Sequence, residues 1–328
     1  MIIILKNMKQ LVFITFLISN ILYAQIIPLE GKLLDNETKE PIAYAHIQFK
    51  NSKIGVSTTE DGNFKLVIEK KLLDSKILIS CLSYHDTLVN ANQLYNKNFY
   101  LQPKIEQLQG IVLENYKSKE ISIGNLKGNQ EKRHLHRQDT TIIAQFIEGE
   151  KIDLSISYLK KVTLKFTNKI IPESKIRIRV YDKDSISGTP NNDLLGESII
   201  LNINRKQKKY EIDFHDFFVE VPEDGFFIAI EKLIIPTNMC FVAPIERSTY
   251  PKYVSEFDKK RHSKDSESSK LLSFEKYRHE VTLYAPVVYL SKKKDEHTYF
   301  GSLYSLNSNK WEMYENGYVL PMEIVLSN

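Results

Sequence analysis

Strict alternation of apolar and polar residues over short segments is the feature that most constrains the fold. The segments Lys161–Phe166 and Lys175–Tyr181 both alternate in this way, which is typical of strands with one buried face because successive side chains point to opposite sides. The apolar faces predicted for these two strands consist of Val162, Leu164, Phe166, Ile176, Ile178 and Val180. Further candidate strands lie at 198–203, 210–214, 226–230, 281–290 and 318–326. The pattern therefore predicts an all-β protein.

Segment 26–102 shows the same succession of short strands and turns. In Ile42–Phe49 we expect His46 on the face opposite to the apolar residues. The stretch TTEDGNF at 58–64 contains Asp61-Gly62, a strong hairpin signal because glycine accepts a positive φ. We interpret it as a turn between two strands, since a calcium loop needs more oxygen ligands than this stretch supplies.

Several ordered motifs in this segment resemble those of the carboxypeptidase regulatory-like domain. In chain order they are Gly31–Asp35, Thr38–Ala45, Gly55–Thr59, Glu60–Phe64, Ile77–Tyr84 and Phe99–Leu101. Ser83 stands where the family usually has glycine, and Gln107–Val112 resembles the short strand that often follows the domain in envelope proteins of Gram-negative bacteria. The resemblance implies a small transthyretin-like or Ig-like β-sandwich that is itself non-catalytic.

The motifs of several enzyme classes are missing from the sequence. A carboxypeptidase zinc site needs a His-x-x-Glu pair and a distant histidine, and no His-x-x-Glu occurs. Gly-x-Ser-x-Gly elbows and Gly-rich phosphate loops are absent as well. We therefore expect no enzyme activity. A hydrolase whose site is assembled from scattered residues is the alternative that the sequence leaves open.

The sequence predicts four successive parts. Residues 1–24 form a signal peptide, 26–102 the carboxypeptidase regulatory-like β-sandwich, 103–140 a polar connector, and 141–328 a larger jelly-roll-like β-sandwich. The last assignment depends on the many short strands and on a loose similarity to β-sandwiches of envelope proteins. The predicted fold class is thus all-β, with two β-sandwich domains after a signal peptide.

Residues 1–24 carry the features of a secretory signal. Lys6 and Lys9 form a basic start, Leu11–Leu22 is apolar, and Ala24 offers a small residue for cleavage. An uncleaved membrane anchor is the alternative. We therefore expect an exported protein, located in the periplasm or at the outer-membrane surface, or secreted.

Charge and cysteine content limit the partners and the redox chemistry. The formal net charge is +4, and removing residues 1–24, which contain two lysines and no acid, lowers it to +2. This balance argues against nucleic-acid binding. Cys81 lies in an apolar run, so we expect a buried free thiol there, with a Cys81–Cys240 disulfide as the alternative.

Two groups contain residue types that ligate metals. The motif His-x-His-x-x-Asp at 134–139 lies in the connector, where an ordinary solvated loop is the preferred interpretation. Asp182, Asp184 and Asp193 lie on one predicted loop between strands and are the candidates for Ca²⁺. A polar turn explains the same residues, and we expect no obligatory cofactor.

Aromatic residues concentrate in the last strands. The candidates for ligand contact are Tyr304, Trp311, Tyr314 and Tyr318. Rings with polar neighbours suit stacking on sugars or binding a partner surface, whereas packing in the core is the alternative.

Export, the absence of a catalytic set and the aromatic residues together predict a non-catalytic envelope protein with a binding or scaffold role. The expected partner is a glycan or another envelope protein, with possible outer-membrane association. An accessory of an outer-membrane transport system is an alternative of a different class.

Overall fold

The computed structural model describes residues 26–50, 52, 54–104, 119–124, 126, 132–135, 141–149, 152, 158–166, 171–240, 283–286, 288–292, 298–302, 311–314 and 317–327. The predicted signal peptide, Tyr304 and the side chains of the motif at 134–139 lie outside this description. Among the described residues, no helix is long and apolar enough to cross a membrane.

Seven strands build the N-terminal sandwich. They are β1 (Ile26–Asp35), β2 (His46–Phe49), β3 (Gly55–Ser57), β4 (Asn63–Glu69), β5 (Lys76–Ser80), β6 (Thr87–Asn90) and β7 (Lys97–Leu101). One sheet has the order β4-β1-β7 and the other the order β3-β2-β5-β6. Short 3-10 helices cover Lys70–Asp74 and Ala91–Gln93. Both sheets contribute to one apolar core, which includes Leu29, Leu33, Ile47, Phe64, Ile77 and Ile79.

The TTEDGNF stretch is a turn, but it does not close a hairpin. The amide of Gly62 donates to Thr59 O at 3.0 Å, and the amide of Thr59 donates to Asn63 O at 2.7 Å. Gly62 has φ +74°, and a Cβ there would lie 2.6 Å from Leu33 O, so glycine is required. Strands β3 and β4 on either side belong to different sheets. The turn therefore carries the chain from one layer of the sandwich to the other.

Sixteen further described strands follow. They are β8 (Glu120–Gly124), β9 (Lys132–Leu135), β10 (Thr141–Glu148), β11 (Tyr158–Lys165), β12 (Glu173–Lys183), β13 (Pro190–Asp193), β14 (Ile199–Asn204), β15 (Lys209–Asp213), β16 (Gly225–Lys232), β17 (Met239–Cys240), β18 (Leu283–Tyr284), β19 (Val288–Lys292), β20 (Thr298–Ser302), β21 (Glu312–Tyr314), β22 (Tyr318–Val319) and β23 (Met322–Ser327). Short 3-10 helices cover His215–Phe217 and Pro236–Asn238.

These strands form the C-terminal sandwich. Its seven-stranded sheet has the order β13-β12-β16-β10-β20-β21, with β14 also paired to β12. Smaller sheets have the orders β15-β11-β23-β8, β22-β19-β9 and β17-β18. The core between them contains all six residues whose burial the alternation predicts at 162–166 and 176–180. The all-β prediction with sandwich-like packing is confirmed.

The segment predicted as a connector, 103–140, contributes two strands. β8 pairs antiparallel with β23, and β9 pairs antiparallel with β19. Ile121 and Ile123 of β8 pack against the large core. Two apolar residues in a strand of five are too few to stand out as a period in a polar segment, which is why the pattern did not show this strand.

Candidate ligand-binding site

The seven-stranded sheet has one face in the sandwich core and a second, outer face. Strand register places outer-face side chains in transverse rows, because paired residues of neighbouring strands lie on the same side. The first row contains Tyr181, Phe227 and Phe146. The second row contains Arg179, Ala229, Ala144, Tyr299 and Met313. The third row begins with Arg177, Glu231 and Ile142. The outer face is thus charged towards one end and aromatic towards the other.

The N-terminal sandwich covers the charged end. Ile234, two residues after the end of β16, joins the core of the N-terminal sandwich, and its backbone bonds to Ser57. Leu233 and Ile235 pack with Tyr44. Farther out, Ser83 Oγ donates to Gly196 O at 2.6 Å. The two sandwiches therefore share apolar as well as polar contacts.

A buried set of polar groups, here called the interface network, lies at this junction. Its members are His46, Ser57, Arg177, Arg179, Asp193 and Glu231. Arg177 donates to Glu231 Oε1 at 2.8 Å and to Tyr44 O at 2.6 Å. Arg179 donates to the other Glu231 oxygen and to Asp193 Oδ2, the latter at 2.5 Å. The positive charges of the two arginines thus equal the negative charges of the two carboxylates, and such pairing reduces the free-energy cost of burying the charges.

His46 completes the network as a neutral ring. Ser57 Oγ accepts the Ile234 amide at 3.1 Å and lies 2.9 Å from His46 Nδ1, so its own hydrogen is free to donate to that nitrogen. His46 Nε2 then carries the proton and donates to Glu231 Oε1. Burial lowers the pKa of His46, and the attraction of Glu231 offsets only part of that. Burial opposes the charge of Glu231, yet Arg177 and Arg179 hold its pKa well below the ordinary value.

The other end of the outer face is the aromatic patch, consisting of Phe146, Tyr181, Phe227, Tyr299 and Trp311. Its rings meet with centroids 4.9 Å apart for Phe146–Phe227, 5.5 Å for Phe227–Tyr299 and 6.1 Å for Tyr181–Trp311. The last two pairs are edge-to-face, a favoured geometry. Phe146, Tyr299 and Trp311 are half-buried, and the neighbouring Met313 is 47% exposed. The patch therefore offers apolar ring surface to solvent.

Two polar atoms of the patch are buried without a hydrogen-bond partner. They are the hydroxyl of Tyr181 and Nε1 of Trp311. Tyr181 is 2% exposed, and burial raises its pKa well above the ordinary value. Native proteins satisfy most buried polar groups. Arg177 Nε and Ser291 Oγ are further orphans among the described residues, but the patch is where two of them meet in one ring pair.

The structure separates the predicted aromatic residues. Trp311 lies in the patch, whereas Tyr318 is buried in the core on the opposite side of the sheet. Tyr314 belongs to β21, but its side chain lies outside the description, as does Tyr304. Tyr299 belongs to the aromatic concentration of the last strands, whereas Phe146, Tyr181 and Phe227 were missed by the sequence reasoning. The signal that could have found Tyr181 was the alternation of its own strand, which puts it on the face opposite Ile178 and Val180.

The candidate calcium residues accept hydrogen bonds from their own loop and strand. Asp182 accepts from Asn192, and Asp184 from the amides of Ile186 and Ser187. Asp193 is paired with Arg179. Across the described part of the chain, no group of three or more histidines, cysteines or acids is placed to hold a metal. Cys81 is a buried free thiol, as the sequence predicts, and burial raises its pKa.

Comparison with known proteins identifies the N-terminal part. The sequence model of the CarboxypepD_reg-like domain family matches residues 29–113, in agreement with the motifs that suggested this domain. The matched family is non-catalytic, and no catalytic family is indicated.

Other comparisons add little. No curated protein matches the sequence significantly. A crystal structure from Bacteroides uniformis ATCC 8492, described as a "putative carbohydrate binding protein", aligns over 80% of this chain and 98% of its own, at 11% identity and a TM-score of 0.18. At this TM-score the likeness carries no argument about fold or function.

Proposed function

We propose that the chain is a non-catalytic, exported binding protein of the bacterial envelope and that the aromatic patch binds a glycan. The observation that carries the proposal is the patch itself. Its half-buried rings Phe146, Tyr299 and Trp311 lie on the outer face, at the end away from the interface network. Aromatic rings of this kind stack on the apolar faces of sugar rings. The predicted signal at 1–24 supports export.

The N-terminal sandwich serves in this proposal as a fixed support. Its contacts with the outer face are buried and hydrogen-bonded, as in the bond from Arg177 to Tyr44 O at 2.6 Å. Such contacts hold the two sandwiches in one orientation, so a partner docked on the N-terminal sandwich would keep the patch at a fixed position. This role agrees with the non-catalytic character of the matched family.

The test uses Trp311, the sole tryptophan of the chain. Residues 25–328 are titrated with dextran, a mannan and the acidic polymer polygalacturonate while Trp311 emission and the heat of binding are recorded. We expect one glycan class to change the emission saturably, with no reducing ends released. Tyr299→Ala is expected to weaken Kd roughly tenfold, as for an aromatic contact residue.

The matched control is Tyr100→Ala, because Tyr100 is 45% exposed on the N-terminal sandwich. Its glycan affinity is expected to equal that of the wild type. Emission and heat that no glycan changes would overturn the proposal. Release of reducing ends that one point substitution abolishes would replace it with a hydrolase.

A further inference from the structure

The ring pair Tyr181–Trp311 differs from Tyr210 and Tyr84 in leaving its polar atoms unpaired. Tyr210 donates to Asn204 O at 2.8 Å and accepts the Asn204 amide at 2.7 Å. Tyr84 donates to Asp35 at 2.8 Å. The Tyr181 hydroxyl and Trp311 Nε1 have no such partner, so the present packing carries the desolvation cost of both groups.

Trp311 lies at the margin of the seven-stranded sheet. It lies directly before β21, and among the described strands β21 pairs with β20 alone, through three residue pairs. Trp311 itself is half-buried, while Tyr181 beneath it belongs to the central strand β12 and is almost fully buried. Displacing the indole would therefore open one side of the Tyr181 ring, 6.1 Å away between centroids, without breaking the sheet.

We infer that Trp311 is a movable cover over Tyr181, and that the bound glycan displaces the indole and supplies oxygen atoms to the Tyr181 hydroxyl and to Trp311 Nε1. This inference rests on the proposed glycan function and adds the residues that recognise the ligand. In the closed state the two rings protect each other from water. In the bound state the ligand oxygens satisfy both orphan groups, and the indole stacks on the sugar.

The surrounding charges indicate a neutral ligand. Arg179, next to Tyr181 in the outer face, is paired with Glu231 and Asp193. Lys183 lies 5.3 Å from the Phe146 ring centroid, and its Nζ is 3.2 Å from Asp224 Oδ2. Because these cations are already paired, the site has no strong preference for an anionic sugar.

The first experiment compares Tyr181→Phe with Tyr210→Phe in residues 25–328. Removing the orphan hydroxyl of Tyr181 is expected to raise Tm by about 2–4 °C, since an unsatisfied buried group is lost. The same change is expected to weaken Kd for the bound neutral polysaccharide roughly tenfold. Tyr210→Phe removes a satisfied hydroxyl and is expected to lower Tm without changing Kd. Equal Kd for Tyr181→Phe and the wild type would overturn the inference.

A second measurement needs no ligand. If Trp311 opens and closes, acrylamide quenches it through the open state, and Tyr181→Phe favours the closed state by removing one orphan group. Quenching is therefore expected to fall in Tyr181→Phe and to stay unchanged in Tyr210→Phe. Unchanged quenching in both would overturn the movable cover. Reduced quenching together with no glycan binding would support the cover but overturn the proposed function, so the two failures are distinguishable.

Discussion

The two ends of the same sheet face differ in how completely their buried polar groups are hydrogen-bonded. At the charged end, every charge of the interface network has a partner and the neutral His46 uses both ring nitrogens, so Arg177 Nε is the one atom of the network that is buried without a hydrogen-bond partner. At the aromatic end, a hydroxyl and an indole N–H are buried with none. The sheet, its twist and its strands are shared, so the difference lies in what covers each end. The N-terminal sandwich satisfies most of the polar groups that it covers, whereas at the proposed glycan site both groups stay unsatisfied until the ligand binds.

The strongest test of the charged end is Glu231→Gln. This change leaves Arg177 and Arg179 buried with one carboxylate between them, and a broken buried ion pair costs about 3–5 kcal/mol of unfolding free energy. Urea unfolding measures the loss. The matched control is Glu211→Gln, because the pair that Glu211 forms with Lys161 is exposed and long, at 3.8 Å. Its expected cost is below about 0.5 kcal/mol, and equal losses in the two variants would contradict a special role for the network.

A smaller loss is expected for Ser57→Ala. The hydroxyl of Ser57 joins His46 Nδ1 to the Ile234 amide, so its removal leaves two buried groups unsatisfied. The expected cost is about 1–3 kcal/mol, measured by the same urea unfolding. Ser185→Ala, on an exposed loop, serves as the control and is expected to change nothing. A Ser57→Ala variant as stable as the wild type would show that His46 does not depend on this hydroxyl.

The pH dependence sharpens the comparison further. Because the folded-state pKa of His46 is lowered, its stabilising contribution is present above the unfolded value near 6.5 and is lost as pH falls through the folded pKa. Urea unfolding at pH 7 and pH 5 should show this loss in the wild type and less of it in His46→Asn. His85 is exposed, so His85→Asn should keep the wild-type dependence. Glu231, whose pKa lies well below 4.5, adds its own loss only below that pH.

The smallest effect is expected at the hairpin loop between β12 and β13. Asp182 and Asp184 already accept hydrogen bonds from their own loop, and Asp193 is paired with Arg179. We therefore expect EDTA to leave Tm unchanged and added Ca²⁺ to raise it by nothing measurable. A rise in Tm with Ca²⁺ that Asp184→Asn abolishes would restore the calcium site.

Alternation predicted the strands and one of their faces, but not what covers the other face. Ile176, Ile178 and Val180 were assigned to the core correctly, because burial on one side depends only on local period. Arg177 belongs to the opposite face of the same strand, and its burial comes from the N-terminal sandwich, more than a hundred residues earlier in the chain. No local pattern reports a partner at that separation.

The candidate site shows the same limit. Trp311 was singled out because it is an aromatic residue in a polar stretch. Phe146, Phe227 and Tyr299 come from three distant segments and are neighbours only through strand register. Tyr318 was grouped with Trp311 by sequence proximity, yet the sheet separates the two. Strand register decides which side chains become neighbours. Register depends on pairing between segments that are far apart in the sequence, so a local pattern does not reveal it.

The position of β23 between β11 and β8 has a consequence for how the chain assembles. Glu323 pairs with Gly124, a separation of 199 residues (323 minus 124). Pairings of such high contact order close slowly, because a long loop must be ordered before any pairing is gained. A chain that ends before Met322 would lose the strand that joins β8 to β11. Assembly of this sheet therefore waits for β23, and until then the edges of β8 and β11 are open to pairing with another copy.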